Sequence, residues 1–70
     1  MPKFTEILEV IPGQFAERDY YSNPQIDILR WEPVHNFGKY HLCTRLYLRD
    51  GREIIVKESN LEVERIFFEK

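Results

Sequence analysis

Residues 40–58, YHLCTRLYLRDGREIIVKE, decide the fold. Tyr40, Leu42, Thr44, Leu46 and Leu48 alternate with His41, Cys43, Arg45, Tyr47 and Arg49, the period of two that a half-buried strand requires. Asp50-Gly51 follows as a turn signal, and Glu53 to Glu58 resumes with Ile54 and Val56 on one face and Ile55 between them, so a hairpin is expected. Parity sets its register. A two-residue loop at Asp50-Gly51 would put Leu48 opposite Glu53 and Thr44 opposite Lys57, mixing apolar with charged. A three-residue loop of Arg49, Asp50 and Gly51, with Gly51 left-handed, puts Leu46 opposite Ile54 and Thr44 opposite Val56 and keeps one face apolar. The bulged loop is the expected one.

Outward from the hairpin, Ile26 to Trp31 reads as a shorter strand between Asn23-Pro24 and Pro33, with Ile26 and Ile28 on one side and Leu29 and Trp31 on the other. His35 to Lys39, containing Asn36 and Gly38, has turn composition and would link it to residues 40–49 as a meander. Ser59-Asn60-Leu61-Glu62 fits the S-x-x-E capping box and predicts a helix from Asn60 to Glu69 with Val63, Ile66 and Phe67 on one face. Leu61, Val63 and Phe67 would also suit a strand. At the front, Phe4, Ile7, Leu8 and Ile11 fit a helix, whereas Phe4, Leu8 and Val10 fit a strand with Glu6 misplaced. Shortness and β-branched Val10-Ile11 tip the reading to strand, ended by Pro12-Gly13. The sum is an α+β domain: a small antiparallel β-meander of three or four strands with a C-terminal helix packed on one face. Its expected core is Leu42, Leu46, Leu48, Ile54, Val56 and Ile66 with Ile26 or Ile28.

Seventy residues, 43% hydrophobic and with ten aromatics, allow one small domain and exclude a disordered tail. Apolar runs such as Ile54 to Val56 and Ile66 to Phe68 hold three residues, against roughly 18 for a membrane span. Glu6, Glu9, Glu17 and Asp19 interrupt the first 25 residues, so no secretory leader is expected. Cys43 is the only cysteine, which excludes an internal disulfide and points to a reducing, cytoplasmic setting. So small a core favours added support, and the chain is expected to bind another protein, either as a homo-oligomer or by an exposed sheet edge added to a partner strand. Net charge is −2 overall, with a basic surplus confined to residues 26–57.

Catalytic constellations are missing. His41-x-Cys43, with His35 upstream, offers three soft ligands, but a structural zinc site needs a fourth and nothing supplies it, so no metal is expected. His41 and Cys43 also leave one strand in parallel with nothing to orient the imidazole, unlike an activated nucleophile. Glu6 and Glu9, and Glu62 and Glu64, have the spacing of solvated surface, and Gly13, Gly38 and Gly51 are isolated turn residues rather than a phosphate loop. The expectation is a non-enzymatic module with no catalytic residues and no cofactor. Two surfaces stand out. Tyr20, Tyr21, Trp31 and Phe37, with Tyr40, fall around the expected loops as a protein-contact set, the tyrosine pair foremost because Ser22-Asn23-Pro24 beside it reads as loop. Arg45, Tyr47 and Arg49, joined by Arg52 and Lys57 from the partner strand, form the alternative, a basic hairpin face suited to nucleic acid.

From Asn23 on, the pattern NPQIDIL…TRLYLRDGREIIVKESNLEVERIF resembles the small FlbD-type proteins associated with bacterial flagella. Those have an Asn-Pro-like start, a short strand, a hairpin around an Asn-Gly or Asp-Gly turn, and a V-K/R-E-S segment leading into a helix. The resemblance covers residues 23–68, is best from Asp50 to Ser59, and departs over Trp31 to Tyr40 and the first third. It implies a bacterial or phage cytosolic protein that acts by regulatory or adaptor contacts, and it maps no catalytic residue.

Overall fold

The alternation of residues 40–58 is realised as read. In the computed structural model, which describes residues 2–68, the elements are β1 (Lys3–Ile11), β2 (Gln14–Tyr21), α1 (Pro24–Asp27), β3 (Ile28–Phe37), β4 (Tyr40–Leu48), β5 (Glu53–Val56) and α2 (Asn60–Phe68). Thr44 pairs with Val56 and Leu46 with Ile54 across β4 and β5, the register that an odd loop dictates. Gly51 sits at φ +96, its N–H donates to the Leu48 carbonyl at 3.0 Å, and the Leu48 N–H donates to the Arg52 carbonyl at 2.8 Å, closing the loop over Arg49 to Gly51.

All five strands form one antiparallel sheet in the order β2-β1-β5-β4-β3. The α+β architecture with a helix on one face holds, and the sheet has five strands because residues 14–21, of loop-like composition, pair along the whole of β1. Short β5 is wedged between two long hairpins. One face carries the core of Phe4, Ile28, Leu46, Leu48, Ile54 and Val56, closed by Val63 of α2, with Tyr20, Trp31 and Ile66 packed around it. Glu6, the residue that spoiled the strand reading of the first segment, lies on β1 at 5% exposure, where Arg18 from the cross-strand position donates to its carboxylate at 2.9 Å. That ion pair is what lets a glutamate occupy an inward position.

Three expectations are corrected. Ile26 is not in a strand: Pro24 opens a single helical turn in which the Ile26 and Asp27 N–H groups donate to the Asn23 carbonyl, and Asp27 accepts from the Asn23 N–H at 2.9 Å. The β3 strand starts at Ile28, runs through Pro33, and turns only at Gly38-Lys39. As an edge strand it has an outward side on which a missing N–H costs nothing, which is why proline does not end it. A bulge between Ile28 and Arg30 brings Ile28 and Trp31 to the same core and pushes Leu29 out. Leu42 is 45% exposed rather than core, lying beyond the end of β5, which stops opposite Thr44. The Ser59 half of the capping box is present, its Oγ accepting from the Glu62 N–H at 3.3 Å. Glu69, the expected last helical residue, lies outside the described residues.

Beyond Thr44 the β3–β4 hairpin extends past the end of β5 as an arm whose tip closes on β2. The Phe15 ring packs edge-on to Phe37 at 5.3 Å and to Tyr40 at 5.9 Å between centroids. Tyr40 donates from its hydroxyl to Glu17 at 2.7 Å, and Lys57 pairs with the same carboxylate at 3.8 Å. Gly38, at φ +59, has no room for a Cβ against the Phe15 ring.

Candidate functional site

The four residues of the expected contact set go to different places. Tyr20 is half-buried against the core from β2, and burial raises its hydroxyl pKa. Tyr21, next along the same strand, points to the opposite face at 60% exposure. The loop reading of this pair is therefore overturned, since alternation on a paired strand separates the two side chains. Phe37 belongs to the hairpin tip against Phe15. Trp31 faces α2, its ring 4.9 Å from that of Phe67 at a tilt of 48°.

Phe67 is where three elements meet. Its ring also contacts Phe68 edge-on at 5.2 Å, and its carbonyl accepts from the Gln25 side-chain amide at 3.2 Å, so the end of α2, the turn of α1 and the start of β3 share one corner. From these same three elements Phe68, Ile26 and Leu29 stand out at 67%, 65% and 56% exposure. Each is exposed for a local reason: Ile26 because the chain coils instead of extending, Leu29 because of the bulge, and Phe68 because Val63, Ile66 and Phe67 already fill the inward face of α2. Sequence reasoning placed Ile26 and Leu29 in a strand and so missed them. A helical turn after Asn-Pro was the available signal.

The basic set is dispersed and largely paired. Glu32 on β3 is a hub: it accepts from the Tyr47 hydroxyl at 2.6 Å and lies 3.5 Å from Arg45 and 3.9 Å from Arg30, whose guanidinium covers the Tyr47 ring at 3.8 Å. The hydrogen bond to Tyr47, with the nearby carboxylates, holds the Arg45 pKa up. Arg52 is tied to Asp50 at 2.8 Å through its Nε and by its own backbone N–H, which lowers the Asp50 pKa. Lys57 pairs with Glu17. Arg49, at the β4–β5 turn beside Tyr20 and Asp27, has no ion pair among the described residues. Four of the five residues Arg45, Tyr47, Arg49, Arg52 and Lys57 thus already hold a carboxylate partner.

Cys43 is fully buried on the arm, 3.7 Å from the Val34 carbonyl, and desolvation pushes its thiol pKa up, whereas His41 beside it is exposed. That is the environment of a packed thiol and the reverse of an activated one. Among the described residues no three His, Cys, Asp or Glu side chains gather as a metal site. No described helix is long and apolar enough to cross a membrane. The stretch that carries the flagellar-protein resemblance, Asp50 to Ser59, comprises the β4–β5 turn, β5 and the α2 cap, positions whose residues serve the fold. The chain matches no protein-family model, no curated protein and no solved structure.

Proposed function

We propose that the protein is a small non-enzymatic adaptor or regulatory module of the bacterial or phage cytosol that binds another protein through the corner formed by α1, β3 and α2. The observation that carries this reading is the exposure of Ile26, Leu29 and Phe68 on the three elements that meet at the half-buried Trp31–Phe67 pair. Large apolar side chains grouped about an anchored aromatic form the kind of surface from which protein contacts draw most of their affinity. The packed, high-pKa Cys43 supports binding over catalysis. Pairing of the arginines with Glu32 and Asp50 weighs against the nucleic-acid alternative, because a phosphate would have to displace an existing partner.

Affinity capture with wild type and with a Leu29→Glu/Phe68→Glu variant tests the reading, once circular dichroism shows that the variant folds. Both side chains are exposed, so the fold is expected to survive. Wild type should retain a defined protein that the variant loses. Light scattering across a wide concentration range reports whether that partner is a second copy. Equal retention by both proteins, or capture of nucleic acid in its place, would count against the corner. A Tyr20→Ala/Tyr21→Ala variant would be a poor probe, because Tyr20 packs on the core.

A further inference from the structure

The sheet has two free edges, and they are unlike. The β3 edge carries three interruptions: the bulge between Ile28 and Arg30, the missing N–H of Pro33, and Asn36 in the left-handed region at φ 58. Each breaks the even row of donors and acceptors that another strand would need. The β2 edge carries none of them. From Phe15 to Tyr21 it pairs residue for residue with Glu9 to Lys3, contains no proline, and keeps a negative φ throughout. In its charged centre, Glu17-Arg18-Asp19, Arg18 is committed to the buried Glu6 at 2.9 Å, whereas the two carboxylates sit in long, solvent-exposed pairs, Glu17 with Lys57 at 3.8 Å and Asp19 with Lys3 at 3.7 Å, and remain open to a further cation.

We propose that the outer edge of β2 receives an extended segment of another protein as a sixth strand, a second contact that rests on the protein-binding reading above. A second copy of β2 is a poor occupant. Two identical antiparallel strands in one sheet are related by a two-fold axis perpendicular to it, so residues of the same parity must face each other. The two centrings that pair most of β2 set like charges directly opposite, Glu17 against itself in one, Arg18 against itself and Glu17 against Asp19 in the other, while a centre on Ala16 or Tyr20 avoids this and pairs only residues 14–18 or 19–21. A heterologous strand avoids this. Phe15, Glu17, Asp19 and Tyr21 share one face of β2, so the matching strand carries apolar, basic, basic and apolar side chains at alternate positions.

The test uses the peptide Leu-Thr-Lys-Thr-Lys-Thr-Leu, which reads the same in either direction, and its counterpart with Glu for both Lys. Amide shifts and exchange rates of the isotope-labelled full chain are followed by NMR. The lysine peptide should shift and protect every second amide of residues 15–21, those that point outward, and leave residues 28–37 unchanged. It should bind about tenfold more tightly than the glutamate peptide, a ratio of the size that two reversed cross-strand charge pairs supply. The exposed substitution Asp19→Lys should narrow that ratio. Changes along β3, equal response to both peptides, or no change in β2 at millimolar peptide overturns the proposal. If β2 fails while capture still depends on Leu29 and Phe68, the edge is excluded and the protein-binding reading stands.

Discussion

Gly38 shows how a single residue closes the arm onto the sheet. Its φ of +59 favours glycine, and a methyl group there would collide with the Phe15 ring. Gly38→Ala should therefore lose about 1–3 kcal/mol from strain and overpacking together, measured by urea unfolding. In a Phe15→Ala background the collision is gone, and the same substitution should cost only about 1 kcal/mol, the left-handed penalty alone. Equal costs in the two backgrounds would mean that Phe15 does not sit on Gly38. At Glu6 the relevant quantity is desolvation. The carboxylate is 5% exposed and its partner Arg18 mostly exposed, so Arg18→Ala strands a buried charge and should destabilise by about 1–3 kcal/mol. Replacing Glu6 and Arg18 together by Gln and Ala should cost less than Arg18→Ala alone.

At the scale of elements, the arm is held by titratable groups, and its stability follows pH with a definite sign. The hydrogen bond from Tyr40, ahead of the Lys57 charge, lowers the Glu17 pKa, so this contribution is complete above the ordinary carboxylate range and is lost as pH falls through the lowered value. The same bond raises the Tyr40 pKa, so its contribution is complete below the ordinary phenol range and is lost as pH rises through the raised value. Tyr40→Phe should flatten both limbs of the stability profile relative to wild type. An unchanged profile would mean that the arm is not fastened there. Removing the α2 cap by Ser59→Ala should cost about 0.5–2 kcal/mol, read from the thermal midpoint.

Legibility in the sequence followed the same division. The β4–β5 register was readable because parity leaves one apolar solution, and α2 because cap and apolar spacing agree. The β2 strand was not, since Gln14-Phe15-Ala16-Glu17-Arg18-Asp19 lacks alternation, and its pairing comes from lying beside β1 after a tight turn at Pro12-Gly13. Pro33 misled because its penalty depends on whether a strand is central or at an edge, which is a property of the assembled sheet. The corner of α1, β3 and α2 was half legible. Trp31 was singled out, while Ile26 and Leu29 became exposed only through the α1 turn and the bulge, tertiary choices that periodicity does not carry.

For the whole molecule, a chain of this length buries only about 60% of the surface that its unfolded form exposes, so its stability margin is narrow. Leu46 is fully buried at the centre of the core, and Leu46→Ala should cost about 2–5 kcal/mol, enough to unfold much of the population in a denaturant titration. A loss below about 1 kcal/mol would place it outside the core. A domain with so small a reserve that still leaves Ile26, Leu29 and Phe68 in water gains from a partner that covers them. The most direct measurement is hydrogen exchange on the complex with the captured protein, compared with the free chain. The account predicts slowed exchange over residues 24–31 and 61–68, with the amides around Arg45 and Tyr47 unchanged. Protection confined to the Arg45 and Tyr47 face, with residues 24–31 exchanging as in the free protein, would contradict it.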